Sequence, residues 1–311
     1  PPVHIEERDN GYYVLTIGSI LGHEEDRSSL YFVSKTARSA KRLIGELPRS
    51  AHFLCIETNR DGRSDFLLSG FGNITGGGVY LVESRSTGYV QRQLSPRQSI
   101  VRLALYSATP GETKFIALAG GAAEGLYFME LMGSDFRERE LIKYPPHLGS
   151  VWLEYDDIDG DGKKELLVLS GDNADAGPYN EVKPDQGLRI YSFNGNQVTQ
   201  RRFESLPGAL SLTLLPRATG FNIAVARFYT DPAQKQDLTL LERQQDFTFA
   251  RRHFTLSSRP TVMTLLPSAS GAELLIGAAN APLVAFGEKD KLVRKYPGPV
   301  LFVPQLKLGS R

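Results

Sequence analysis

A run of acidic residues between positions 156 and 165 has the residue types and spacing that best fit a defined chemistry. Asp157, Asp159 and Asp161 occupy positions 1, 3 and 5 of a loop, and Glu165 occupies position 9. Converging carboxylates repel one another unless a cation lies between them, and hard oxygen ligands at this spacing favour Ca²⁺. The alternative interpretation is an acidic, glycine-rich hairpin turn that binds no ion.

The sequence around these acids predicts a loop between two β-strands. An EF-hand places its closing Glu at position 12, between two helices. Here the closing acid comes at position 9 and leads directly into the apolar run 166–169. Gly160 and Gly162 allow the backbone to turn through conformations that other residues avoid. We therefore expect a calcium-binding hairpin loop.

Other chemistry receives little support from the sequence. No nucleophile elbow and no phosphate-binding glycine loop is present. The single cysteine, Cys55, lies between Leu54 and Ile56, which is typical of a buried, unreactive thiol. The histidines lack metal-ligand spacing and are interpreted as surface or turn residues; they are His4, His23, His52, His147 and His253.

Composition describes an ordinary globular chain. Of its 311 residues, 41% are hydrophobic and 23% are charged, and the formal net charge is +1. This charge gives no general attraction to nucleic acid, and no apolar run reaches the roughly 20 residues that cross a bilayer. The chain opens at Pro1 without an export signal, and we expect that a signal sequence has been removed.

A repeated unit of four strands accounts for nearly the whole chain. Around the acidic loop the strands are expected at 151–155, 165–169, 188–193 and 198–203. A glycine follows the second strand of most copies, and these glycines recur about every 50 residues, a period typical of β-propellers. They are Gly18, Gly70, Gly120, Gly171 and Gly277.

The two ends of the sequence predict how a ring would close. The first copy is expected to begin at its second strand, 12–17, and the last copy to be followed by an extra strand, 300–303. Pairing these segments would complete the first blade and remove two free sheet edges. The prediction is an all-β, six-bladed β-propeller forming one domain, 1–311; the alternative is a seven-bladed propeller. The approximate blades are 300–308 with 10–51, 52–99, 100–149, 150–210, 211–261 and 262–298.

The acidic loop inside a propeller repeat resembles the FG-GAP/VCBS repeat family, which includes the integrin α-subunit propeller. In that family, side chains at positions 1, 3, 5 and 9 and the carbonyl at position 7 bind calcium. The resemblance implies that the ligands are Asp157, Asp159, Asp161, the carbonyl of Lys163, and Glu165. Glutamate at position 9 departs from the more common aspartate.

A second copy of the motif matches the family less well. Its ligands would be Glu57, Asn59, Asp61, the carbonyl of Arg63, and Asp65. Arg60 replaces the first loop glycine, and one acid is lost relative to the first motif. This loop is therefore expected either to bind calcium more weakly or to remain empty.

The longest predicted loops lie on the opposite face of the blades from the acidic turns and predict a binding surface. The partner-binding candidates on these loops are His23, Glu25, Asn73, Tyr179 and Tyr229.

The leading hypothesis is a non-catalytic, calcium-stabilised module for adhesion, recognition or assembly that binds a protein or glycan. An extracytoplasmic location, whether secreted, periplasmic or cell-surface, follows because weak calcium loops fill at millimolar concentrations. The alternative is a polysaccharide-acting lyase or hydrolase with its site at the channel mouth. A lectin with similar pockets in several blades is a third hypothesis, disfavoured by the differences between the loops.

Overall fold

The chain forms antiparallel sheets of four strands, each built from consecutive segments of sequence. A computed structural model describes residues 2–8, 10–17, 27–37, 39–71, 77–109, 111–121, 124–145, 148–171, 183–228, 236–245, 247–256, 260–268, 271–278, 282–286 and 292–299. Within these ranges there are six four-stranded sheets, and neighbouring strands in each sheet are also neighbours in sequence. The predicted four-strand repeat is therefore confirmed as a structural unit.

The chain divides into two units, each containing three sheets. The strands of the first unit are β1 (Pro2–Arg8), β2 (Gly11–Ile17), β3 (Ser28–Ser34), β4 (Ala40–Leu47), β5 (Ser50–Ile56), β6 (Asp65–Phe71), β7 (Gly77–Arg85), β8 (Gly88–Ser95), β9 (Ile100–Thr109), β10 (Glu112–Ala119), β11 (Gly125–Met132) and β12 (Asp135–Lys143). Those of the second unit are β13 (Ser150–Asp156), β14 (Glu165–Ser170), β15 (Gly187–Phe193), β16 (Val198–Ser205), β17 (Ala209–Pro216), β18 (Phe221–Arg227), β19 (Leu238–Arg243), β20 (Phe249–Phe254), β21 (Pro260–Ser268), β22 (Gly271–Ala278), β23 (Pro282–Phe286) and β24 (Leu292–Pro299).

The strands within a sheet differ in burial according to their position. The second strands, such as β6 and β14, are buried on both faces and read as nearly continuous apolar runs. The fourth strands, such as β8 and β12, are largely exposed and carry charged residues. Charged outer strands discourage pairing with other sheets.

Apolar cores fill the spaces between neighbouring sheets within each unit. In the first unit, Leu67 and Leu81 pack with Phe115 and Met129 of the next sheet. In the second unit, Leu167 packs in a cluster that reaches the strands of the sheet β17–β20. These cores hold the hairpin loops at fixed positions at the sheet ends.

The first strand of every sheet contains the same irregularity. The pairing register shifts by one residue directly after the strand begins, between Pro2 and His4 in β1 and between Ser150 and Trp152 in β13. Corresponding shifts occur in β5, β9, β17 and β21. A β-bulge at one fixed position bends the strand and increases its twist.

The N-terminal sheet corrects one prediction. The first copy was expected to lack its own first strand, but β1 pairs with β2 from Pro2↔Thr16 to Arg8↔Gly11. The other edge of β2 pairs with β3, so 12–17 has no edge left for 300–303. A tight hairpin costs far less loop-closure entropy than pairing the two ends of the chain. The segment 300–303 itself lies outside the described residues.

Candidate metal centre

The acidic loop connects β13 to β14, as the sequence predicts. Asp156 and Glu165 form the last pair of the β13–β14 ladder, and the intervening residues make the loop. Gly160 and Gly162 have φ values of 79° and 86°, in the left-handed region that favours glycine. The two glycines therefore allow the loop backbone to turn around the acidic side chains.

Three of the predicted ligands converge on one point. Asp157, Asp159 and Glu165 each offer a carboxylate oxygen, and these oxygens all lie within 4.8 Å of one another. Asp161 is not part of this converging group, although its charge acts on Glu165. Lys163 donates its backbone N–H to Asp161 Oδ1 at 2.7 Å. Coordination of an ion by the Lys163 carbonyl stays a prediction.

Backbone donors of the loop hold the aspartates in place. Asp157 Oδ1 accepts from the N–H of Gly160 at 2.7 Å, and its Oδ2 accepts from the N–H of Gly162 at 2.8 Å. Asp159 Oδ1 accepts from the N–H of Asp161 at 3.2 Å. These backbone bonds orient the Asp157 carboxylate and one oxygen of Asp159.

Glu165 is the most electrostatically perturbed member of the group. Glu165 is only 4% exposed to solvent. Burial raises the pKa of Glu165 to about 7, and the charges of Asp159, Asp161 and Asp157 act in the same direction. The N–H of Ile158, 3.1 Å from Oε2, opposes this shift. A cation between these oxygens would remove the repulsion.

The loop 57–65 follows the same backbone path one hundred positions earlier. Ile56↔Asp65 closes the β5–β6 ladder as Asp156↔Glu165 closes β13–β14. Arg60 has a φ of 60° at the position of Gly160, which confirms the equivalence of the two turns. The two loops can therefore be compared residue by residue.

Side-chain donors satisfy the acids of the loop 57–65. Asp65 Oδ2 accepts from the N–H and hydroxyl of Thr58 at 2.8 and 2.5 Å, and its Oδ1 accepts from the N–H of Ser84 at 2.7 Å. Asp61 Oδ2 accepts from Ser84 Oγ at 2.6 Å and from Arg63 Nη2 at 3.1 Å. The Ser84 hydroxyl bond, followed by backbone and charge interactions with Arg63, lowers the pKa of Asp61.

The acidic loop 157–165 lacks the side-chain donors of its counterpart. Ile158 stands where Thr58 does, so only its backbone N–H reaches the closing acid. The strand pairing Phe66↔Val82 in the first unit corresponds to the pairing Leu166↔Tyr191 in the second. Two residues further along the third strand, Phe193 therefore occupies the position that Ser84 has in the first unit. Among the described residues, Glu165 thus accepts one hydrogen bond where Asp65 accepts three. Sequence spacing alone did not show this difference, because Ser84 and Phe193 lie far from the motifs in sequence.

The predicted partner-binding residues are not placed by the structure. They lie outside the described residues and stay predictions: His23, Glu25, Asn73, Tyr179 and Tyr229.

The other single-residue interpretations have mixed outcomes. Cys55 is buried as predicted, and burial followed by the charge of Glu6 raises the pKa of its thiol. His4 and His52 correct the prediction of surface histidines, since they are 7% and 3% exposed with ring centroids 4.2 Å apart. Both occupy the residue after the first-strand bulge, which turns their side chains into the protein.

Comparison with known proteins identifies the class of fold. No family model and no curated protein sequence matches the chain. A fungal lectin from Aleuria aurantia, described as a six-bladed β-propeller with a novel fucose recognition mode, matches with a TM-score of 0.51 and 8% identity over 96% of each chain. The Dos1 propeller matches with a TM-score of 0.56 and 11% identity over 98% of this chain and 74% of that one.

A putative 6-phosphogluconolactonase from Bacteroides fragilis gives a TM-score of 0.58 and 10% identity over 94% of this chain and 82% of that one. Identities this low show the fold alone. The chain is therefore an all-β protein of the propeller class. Among the described residues, no helix combines the length and apolar character that crossing a membrane requires.

Proposed function

We propose that the protein is a calcium-stabilised propeller that acts as a non-catalytic recognition or assembly module. The observation that carries the proposal is the convergence of Asp157, Asp159 and buried Glu165 in a loop without the side-chain donors of its counterpart. A buried carboxylate beside two other acids is costly unless a cation or further donors compensate its charge. In this loop a cation would provide the compensation.

The donor set favours calcium over other metals. The converging atoms are carboxylate oxygens, and the group contains no histidine or cysteine. Zinc and the later transition metals prefer nitrogen and sulfur, whereas calcium takes six to eight oxygens and tolerates irregular geometry. Asp161 and the carbonyl of Lys163 would complete the protein ligands, and water would fill the remaining positions.

Six blades are the arrangement that the repeat favours. The described residues contain six four-stranded sheets, and the Aleuria lectin with its six blades matches over 96% of both chains. A seven-bladed arrangement would need a seventh sheet, and the described residues contain six. The resemblance of the acidic loop to FG-GAP/VCBS repeats supports the same architecture.

Recognition of a protein or glycan outside the cytoplasm is the role we assign to this scaffold. Calcium at millimolar concentration would fill a loop of modest affinity, which is the condition of extracellular modules. The predicted binding face is the one carrying the long loops between second and third strands. The fucose recognition described for the lectin belongs to that protein and is compatible with a glycan partner.

Thermal unfolding in the presence of calcium tests the metal site. A ligand that binds only the folded state at one hundred times its Kd stabilises it by about 2.7 kcal/mol. For a chain of this size we expect a rise in Tm of several degrees between EDTA and excess calcium, with magnesium giving a smaller rise.

The variant Asp159→Asn should abolish the calcium-dependent rise, while the matched variant Asp61→Asn should retain it. Equal Tm values with calcium and EDTA in the unmodified protein would refute the metal site. Binding of labelled glycans or candidate protein partners, with and without calcium, then tests the recognition role.

A further inference from the structure

The acidic loop contacts the neighbouring sheet of the second unit through Ile158. This residue lies between two of the acidic ligand positions, and its side chain is fully buried. It belongs to the apolar cluster that also contains Leu212 of β17 and Ile223 of β18. Ile158 thus lies within the acidic loop and also contributes its side chain to the apolar core between two sheets.

The backbone of Ile158 is also bonded to the next sheet. Its carbonyl accepts a hydrogen bond from the N–H of Phe221, the first residue of β18, at 2.9 Å. Gly220 has a φ of 65°, and a Cβ there would lie 2.0 Å from the Ile158 oxygen. A Cβ at Gly160 would lie 3.0 Å from the Gly220 nitrogen. The two turns therefore meet backbone to backbone, at a separation that only glycine allows at position 220.

The receiving turn is itself firmly held. Arg217 Nη1 donates to the carbonyl of Arg243 at 2.6 Å and to Asn222 Oδ1 at 3.2 Å. Arg243 Nη2 donates to the carbonyl of Thr219 at 3.0 Å. Because the turn 217–220 is tied to β18 and β19, the contact at Ile158 joins the acidic loop to the whole sheet β17–β20.

From these contacts we infer that the acidic loop is a calcium-dependent clasp between the sheets β13–β16 and β17–β20. This inference rests on the proposed calcium site. Without a cation, repulsion among the ionised carboxylates of Asp157, Asp159 and Glu165 makes the contact between Ile158 and Phe221 open more often. A bound ion draws the same residues together and so holds the Ile158 carbonyl against Phe221. Metal binding thereby regulates how firmly β18 is fastened at its first residue.

The first unit provides an internal reference. In the loop 57–65, Thr58 and Ser84 supply the donors that stabilise the acids, so this loop needs no ion to hold its shape. We therefore expect calcium to change the dynamics near β18 and to leave those near β6 unchanged.

Amide hydrogen exchange of the full chain, with calcium chloride or EDTA, tests the clasp. Calcium should slow exchange of the peptide covering 221–227 about tenfold or more, with no change in the peptide covering 65–71. Isothermal titration calorimetry of the same protein sample shows whether calcium binds. If calcium binds but exchange in 221–227 is unchanged, the clasp is refuted while the metal site stands. If no calcium binds, the proposed metal site is itself refuted, and the clasp with it.

A glycine pair supplies matched variants. Gly220→Ala introduces the clash with the Ile158 carbonyl. The control is Gly111→Ala, because Gly111 has a similarly positive φ of 89° and a Cβ there would meet nothing within 4 Å. Both variants carry backbone strain, but only Gly220→Ala should remove the calcium-dependent slowing in 221–227 while calcium still binds. Retention of that slowing in Gly220→Ala would contradict the clasp. If Gly220→Ala fails to fold, the exchange of the unmodified protein decides the question.

Discussion

Calcium binding should depend on pH because of Glu165. The folded, ion-free protein holds the pKa of this carboxyl at about 7, above its ordinary value of 4.5, chiefly through burial. A carboxyl with a raised folded-state pKa binds more protons in the folded state than in the unfolded state. The stability of the ion-free protein therefore falls as pH rises from about 4.5 to about 7. Calcium must displace that proton, so its affinity changes in the opposite direction and rises with pH.

The size of the effect follows from the pKa. With a pKa of about 7, the ionised fraction of Glu165 is roughly one-tenth at pH 6 and roughly nine-tenths at pH 8. Apparent calcium affinity should therefore increase about tenfold between these pH values, equivalent to about 1.4 kcal/mol. At pH 6 binding should release nearly one proton, and at pH 8 almost none.

Isothermal titration calorimetry at pH 6, 7 and 8, in buffers of different ionisation enthalpy, measures both the affinity and the proton count. Glu165→Gln is the control, because its amide does not ionise: its calcium affinity should be weaker and independent of pH over this range. An affinity that is flat from pH 6 to pH 8 in the unmodified protein, with calcium bound, would refute the electrostatic reasoning.

Two further predictions concern stability without calcium. Thr58→Val removes the hydroxyl donor to Asp65 and should destabilise the protein by about 1–3 kcal/mol. Chemical denaturation should give the same loss with calcium and with EDTA. A loss that depends on calcium would contradict the inference that the loop 57–65 holds its shape without an ion. Phe53→Ala empties a fully buried site between the first two sheets and should cost about 3–5 kcal/mol by the same measurement; a loss below about 1 kcal/mol would contradict the packing described there.

Much of the fold could be predicted from sequence because its interactions are local. Each sheet consists of consecutive strands, so apolar runs such as 166–169 and the turns between them define the unit without long-range information. The missed strand was β1, whose residues Glu6, Glu7 and Arg8 look unlike a buried strand. Two of these charges act on the next sheet, since Glu6 accepts from the N–H of Cys55 and Arg8 donates to its carbonyl.

The candidate site was predictable only in part, for a related reason. The acids at 157, 159, 161 and 165 belong to one short loop, and their spacing predicts that all four converge, whereas the converging group contains Asp157, Asp159 and Glu165 but not Asp161. What separates this loop from its counterpart at 57–65 is contributed by the third strand, through Ser84 in one sheet and Phe193 in the other. The effect of those residues depends on strand register, which the motif does not contain.

The short connection between β1 and β2 has a consequence for the order in which the protein folds. All four strands of the first sheet come from residues 2–47, so its ladder needs no segment from later in the chain. Ladders of this kind form quickly, because little chain entropy is lost in closing them. The first sheet is thus able to assemble before the rest of the chain has folded, and within each unit the next sheet then finds an ordered surface on which to pack.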